Sequence, residues 1–278
     1  MGPGQEYSEF FKKFHDAGLG SIFALFMLGL CRLAPIVTMA PFLAAKLPSP
    51  IKVGILVSFT LIFLPNLATT CSVLPEFNIV FIGYMIKEIF IGFLLGFLVC
   101  IPFYFAQTAG VLIDFLRGAS SLQVSDPFSQ AQTSPIGNLY NYVLIVMFYT
   151  IGGVFYFFDS ILTSYSLIPP DKFINPLFFS LQQPFWQTIM ALTTKVVALS
   201  IQLSAPALLS ILMTEVFLGV ANRLAPQVQI SFLGMSLKSL LGLMLLCISW
   251  FFILEQLQKQ TLLWLKEIDR ILSLIPPS

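Results

Sequence analysis

The side chains of this chain that could do chemistry are few, and they sit inside apolar sequence. The densest group lies in residues 205–238, APALLSILMTEVFLGVANRLAPQVQISFLGMSLK. Glu215, Gly219 and Arg223 are spaced i, i+4 and i+8, so a helix there carries them on one ridge. Pro206 breaks this helix near its start, Pro226 stops it, and Lys238 lies in the apolar segment that follows. A charged ridge in a span otherwise fit for lipid either faces protein or a watery passage, or closes a helix end as a Glu–Arg pair. The other charges of this kind are Arg32, the adjacent Lys87 and Glu88, and Asp114 with Arg117 at i, i+3. Adjacent helical residues point about 100° apart, so Lys87 and Glu88 are expected to find partners on other segments or subunits rather than each other.

Ion pairing and ion coupling are the chemistries these residues offer. Enzyme readings lack their parts. No Gly-rich phosphate loop follows a strand pattern, no HExxH occurs, and the single histidine, His15, is in the N-terminal tail. Cys31, Cys71, Cys100 and Cys247 are scattered without a CxxC, so they read as small apolar residues and no metal or other cofactor is expected.

Composition sets the solvent. The chain has 278 residues, 57% hydrophobic and only 10% charged, with a mean hydropathy of +0.90. Soluble domains carry roughly a quarter charged residues. With so few charges to cover a wet surface, the membrane is the expected environment. The net charge is +1 and no basic cluster exists to neutralise phosphates, so nucleic acid is set aside as a partner.

The elements that must position these charges follow from the apolar runs. Residues 1–17 are polar and mixed in charge, with an amphipathic patch at Phe10, Phe11 and Phe14, and do not read as a signal peptide. A helix kinked at Pro35 is expected over 19–45, with Arg32 turned inward or snorkelling to the interface. Residues 51–68 form a cleaner span, and 79–106 another, in which Gly92 and Gly96 form a GxxxG that would let a neighbouring helix approach. Residues 107–117 read as a helical end. The polar segment 118–138, GASSLQVSDPFSQAQTSPIGN, is either a plain extramembrane linker or lies against protein lining a cavity. An aromatic span is expected over 139–158, then a connection over 159–184 with four prolines. Residues 185–220 are too long for one crossing and suggest two half-helices or a bent pair. A span over 229–254 carries Lys238, and the tail 255–278 sets Leu262, Leu265 and Ile268 against Lys259, Lys266, Asp269 and Arg270, which suits an amphipathic helix on a membrane or a partner.

Counting charges inside these spans gives Arg32, Lys87, Glu88, Lys195, Glu215 and Lys238. At about 2.5–3.5 kcal/mol each, such groups fit a larger assembly, partly out of the bilayer, better than a free bundle in lipid. With six spans, the lysine and arginine bias places both termini in the cytoplasm. An internal echo links Lys87, Pro102, Asp114 and Arg117 to Lys195, Pro206, Glu215 and Arg223. The fold class expected is all-α: one polytopic membrane domain over 1–278 with kinked or broken helices and helical hairpins.

The blocks GVLIDFLRGASSLQVSDPFSQAQTSPIGN and APALLSILMTEVFLGVANRLAPQVQISFLGMSLK resemble the T component of the bacterial type III secretion export apparatus, the SctT/YscT/SpaR/HrcT family with flagellar FliR. Asp126-Pro127 and Glu215, Gly219, Arg223, Ala225-Pro226 and Lys238 carry the resemblance. It implies an inner-membrane, multi-pass subunit that packs with R, S and U components into a helical export gate, partly projecting to the periplasmic side. Its further partners would be inner rod or needle-base subunits, unfolded secreted substrates and membrane lipid. It also implies that 118–136 acts as a plug, to which Gly118, Ala119, Ser120 and Ser121 bring small side chains for a tight constriction and Asp126 and Pro127 the family signature. Arg32, Lys87, Glu88, Asp114, Arg117, Glu215, Gly219, Arg223 and Lys238 would then serve as buried charges and assembly contacts. The rival readings are a stand-alone secondary transporter coupled through Lys87, Glu88 and Glu215, and a membrane scaffold with no pore contact.

Overall fold

Backbone N–H and C=O groups in lipid must bond to one another, and apolar runs of this length do so as helices. The computed structural model describes residues 18–43, 47–71, 73–118, 134–180, 183–224 and 230–274, and these are all-α. In chain order the helices are α1 (Leu19–Met39), α2 (Ser49–Thr70), α3 (Ile79–Leu116), α4 (Pro135–Thr150), α5 (Gly153–Leu167), α6 (Pro184–Leu224), α7 (Ile230–Ile248) and α8 (Trp250–Ser273), with a short 3-10 turn at Pro176–Phe179. Four of them, α1, α2, α3 and α6, are each long and apolar enough to cross a membrane, and the bent pairs α4–α5 and α7–α8 raise the total to as many as six spans.

Proline and glycine mark the interruptions. Pro35, Pro65, Pro102 and Pro206 lie inside helices that continue through them. The expected division of 185–220 into two half-helices is therefore corrected: α6 is one helix of 41 residues. Pro206 removes a single backbone donor, which a long membrane helix tolerates. Conversely, the aromatic span expected over 139–158 breaks at Gly152, whose φ of +78° is the left-handed conformation that only glycine adopts cheaply. The chain then re-enters a helix and stays in it to Leu167, nine residues into the stretch expected to be a connection. The span expected over 229–254 likewise ends at Ile248, where the chain bends by 63° into α8.

The helices form two compact units: residues 1–100, 152–189 and 265–278, and residues 101–151 and 190–264. In the first, α1 packs on α2 and α3. A Cβ at Gly29 would stand 2.9 Å from Thr60 Cγ2 of α2. At Gly92 of α3 it would stand 2.1 Å from the Arg32 carbonyl oxygen, and at Gly96 3.4 Å from Ile36 Cα. The GxxxG of α3 is thus the seat of α1, as its spacing predicts. Phe158 of α5 meets Phe59 and Phe63 of α2 with ring centroids 5.1 and 5.8 Å apart.

In the second unit, the far end of α3 and the start of α4 touch backbone to backbone. A Cβ at Gly110 would lie 2.4 Å from Gly137 Cα. Gly242 and Gly234 of α7 rest on Ile211 and Leu218 of α6. In this unit Phe105, Leu199, Gln202, Phe252, Gln256 and Gln260 border a cavity of about 260 Å³. The tail is helical, as its periodicity predicts; Leu257 and Trp264 are buried in this unit, and Leu265, Ile268 and Ile271, which belong to the first unit, are buried as well. Leu262, expected on the tail's apolar stripe, is on the exposed side.

Candidate functional site

Among the described residues three charged clusters stand out, and each forms at a helix contact. The first is in the unit built on α1, α3 and α5. Arg32 is completely buried, as is Glu88. Because the α1 backbone lies directly on Gly92, the guanidinium reaches one turn back along α3 and grips Glu88 at both ends, Nε to Oε2 at 2.5 Å and Nη2 to Oε1 at 2.9 Å. The remaining donors go to the α5 end: Nη2 to the Ile168 carbonyl at 2.8 Å and Nη1 to Ser164 Oγ at 3.2 Å, while the guanidinium lies 4.0 Å over the Tyr165 ring. Ser164 can accept because its own proton is directed to the Ile161 carbonyl at 2.6 Å.

Lys87 corrects the expectation that neighbours on a helix do not pair. Its Nζ is 2.8 Å from Glu88 Oε1, and it also donates to the carbonyls of Pro169 and Lys172 at 2.8 Å and Pro170 at 3.1 Å. The 100° separation fixes only where the two Cβ atoms point; a four-carbon stem swings back to share an oxygen. The long-range partners that were expected exist as well. One carboxylate thus lies between two cations, and the excess positive charge is absorbed by backbone carbonyls and an aromatic face.

The second cluster is in the other unit. Asp114 is buried and accepts from Arg117 through Nε at 2.8 Å and Nη2 at 2.6 Å. Its other oxygen accepts from Ser134 Oγ and from the Ile136 backbone N–H at 2.9 Å. Ser134 caps α4, accepting from Gly137 N at 2.9 Å, and Pro135 occupies the first turn. Asp114 therefore fastens the end of α3 to the start of α4, across the polar segment. Gly118 opens that segment with φ +85°. Ala119, Ser120, Ser121, Asp126 and Pro127 lie outside the described residues. The sequence reading missed Ser134 as a ligand of Asp114; the Ser-Pro start signal was legible, but which acid it met was not.

The third cluster pairs Glu215 of α6 with Lys238 of α7 at 2.8 Å. This takes the place of a Glu215–Arg223 pair, and Arg223 stands exposed further along the ridge. Glu215 is 58% exposed and Lys238 21%. Gly219 is exposed, and Lys195, expected among the buried charges, is exposed too. Of the six charges counted inside the spans, Arg32, Lys87 and Glu88 are buried within this chain.

These features define a multi-pass, all-α membrane protein whose ionic groups, among the described residues, join helices. Residues 23–263 match the family described as bacterial export proteins, family 1. The chain belongs to that family, which is the T-component family of type III secretion expected from its two signature blocks. It is similar to the secretion system apparatus protein SsaT of Salmonella typhimurium, 33% identical over 171 residues, 61% of this chain and 63% of that one. It is 31% identical to the surface presentation of antigens protein SpaR of Shigella flexneri over 78% of this chain and 81% of SpaR. The Yop proteins translocation protein T of Yersinia pestis is 30% identical over 68% of this chain and 70% of its own length. The match to SsaT thus spans just under two thirds of that relative.

Proposed function

We propose that this chain is a subunit of the type III protein export gate in the bacterial inner membrane and forms part of the wall past which unfolded substrates move. One observation carries the reading. Glu215 is more than half exposed on an α6 face whose neighbours Met213, Val216, Phe217 and Val220 are exposed apolar residues. A charge facing hydrocarbon costs about 2.5–3.5 kcal/mol even on insertion scales, so this face suits sister subunits better than lipid. Helix length supports the same reading. At about 1.5 Å per residue the 38 residues of α3 and 41 of α6 run roughly 57 and 61 Å, about twice the hydrocarbon thickness. Such helices suit a complex that projects toward the periplasm. The partners are then the R, S and U components, with rod subunits docking on the assembled gate. The plug role of 118–136 rests on the family resemblance, and Asp114 supplies its anchor.

A stand-alone transporter would need a carboxylate that trades protons with water. Of the coupling groups that reading names, Lys87 and Glu88 are buried and paired with each other, Glu88 with Arg32 as well. That leaves Glu215, itself paired with Lys238, as the one accessible carboxylate among them and favours the subunit reading. The test is to solubilise the protein at native expression in mild detergent and identify what comes with it. Several smaller hydrophobic subunits are expected; a solitary chain, stable alone in a nanodisc, refutes the reading. Replacing residues 119–133 by a short Gly/Ser linker, which spares Ser134 and its bond to Asp114, should leave the complex assembled but leaky to ions, and a tight membrane after that replacement removes the plug role.

A further inference from the structure

We propose that the Glu215–Gly219 face of α6 is the seat of a membrane-embedded helix from a different subunit, one that brings an arginine or lysine to Glu215. The inference rests on the export-gate reading and specifies the chemistry of one of its contacts.

The template for it is inside the chain. Glu88 and Gly92 of α3 have the same i, i+4 spacing as Glu215 and Gly219 of α6. At the first pair, α1 lies backbone-to-backbone on the glycine, and that closeness is what lets Arg32 grip the carboxylate. Glu88 also holds a second cation, Lys87, on Oε1. At the second pair, Lys238 takes Oε1 of Glu215 at 2.8 Å, as Lys87 does on Glu88. Oε2 accepts no hydrogen bond among the described residues. A Cβ built on Gly219 meets nothing within 4 Å, whereas one on Gly92 meets the α1 backbone. The parts that hold α1 at Glu88 are repeated at Glu215: a carboxylate already carrying one lysine, a bare glycine one turn on, and apolar flanks. The helix that would fill them is not in this chain.

Charge complementarity selects the occupant. A lipid tail, or a helix without a cation, would leave Oε2 facing hydrocarbon with no donor. A second copy of this chain has Arg32 and Lys87 buried and committed to Glu88. Because copies in one membrane share an orientation, its α6 would run parallel and leave its exposed Lys195 and Arg223 about 30 and 12 Å along the axis from Glu215. A different polypeptide is free of that constraint. Arg223, exposed about two turns further along the ridge, adds a condition: the docked helix presents an acceptor there.

The test places a photo-crosslinking amino acid at Val216 or Val220 of the full chain in its native membranes, then sequences the adducts. The expected adduct is an apolar helix of another subunit with an arginine or lysine within about one turn of the linked residue. Gly219→Leu should reduce recovery of that subunit about tenfold while the chain alone melts as the wild type does; Glu215→Gln, which also gives up the Lys238 pair within the chain, should reduce it less. Adducts confined to lipid, to a second copy, or to a segment without a basic residue overturn the proposal. If that happens while other subunits still co-purify with the wild-type chain, the export-gate reading survives. If the wild type brings down no other subunit, both fall.

Discussion

Gly92→Ala adds one methyl group at the tightest glycine contact among the described residues. The new Cβ would stand 2.1 Å from the Arg32 carbonyl oxygen and 2.9 Å from its carbon. Ordinary C···O contacts begin at about 3.3 Å, so α1 must retreat by about 1.2 Å. Arg32 Nε and Nη2 are 2.5 and 2.9 Å from Glu88, and a retreat of that size carries them beyond the roughly 3.2 Å of a good hydrogen bond. Over-packing costs about 1–3 kcal/mol, and rupture of a buried pair about 3–5 kcal/mol. Against these, alanine returns about 1 kcal/mol of helix propensity. A net loss of at least about 3 kcal/mol, the low end of these figures, is a large share of the roughly 5–15 kcal/mol that holds a domain folded. Cys100 reports on this contact directly, since its buried Sγ lies 3.2 Å from the Met39 carbonyl of α1. Its maleimide labelling should rise about 100-fold in the variant, with exposed Cys247 as the internal reference. Gly54→Ala in α2, where a Cβ meets nothing within 4 Å, should leave labelling unchanged and stability no lower, raised by at most about 1 kcal/mol of helix propensity. If Gly92→Ala melts and labels like Gly54→Ala, the seating of α1 on Gly92 is wrong.

Two further experiments separate charge from packing. Arg32→Leu leaves Glu88 buried with Lys87 alone and should lower stability by about 3–5 kcal/mol, while the triple change Arg32→Leu, Lys87→Met and Glu88→Leu, which leaves no buried charge in the cluster, should recover much of that loss, measured by thermal unfolding in detergent. Asp114→Asn keeps the shape but cannot accept from both Arg117 and the Ser134–Ile136 pair. It should cost about 2–3 kcal/mol and broaden the distance between spin labels at Val111 and Leu139; an unchanged distribution would show that Asp114 does not fasten α3 to α4.

The apolar runs made the spans legible, because in a chain this poor in charge hydropathy alone decides which segments leave water. The Gly92–Gly96 contact was legible for a related reason: small residues one turn apart are the only places where two helix backbones can meet. Reading failed where a single residue had to be weighed against tertiary context. Pro206 looks like a break, yet α6 runs through it, because one lost hydrogen bond is a small cost within 41 helical residues. Gly152 looks ordinary in an aromatic run, yet its positive φ ends α4. The partners of the charges were hidden altogether. Nothing in the local sequence says that Arg32 meets Glu88, 56 positions away, or that three loop carbonyls after Ile168 surround Lys87.

The two Glu-x-x-x-Gly ridges also divide the folding of the chain from its use. At Glu88 the carboxylate, both cations and the helix that covers them belong to one polypeptide, so this cluster can close as soon as α1, α3 and α5 are in place. Its excess charge never has to face lipid. At Glu215 the same arrangement stops one helix short, with a single lysine and an open glycine. A chain alone in the bilayer keeps that carboxylate only partly neutralised, at a cost of up to about 2.5–3.5 kcal/mol by insertion scales. The penalty disappears when a cation arrives from outside. On the docking proposed above, a subunit built this way would be folded by its own ion pairs and reach full stability beside its partner, a difference that would favour assembled chains over solitary ones.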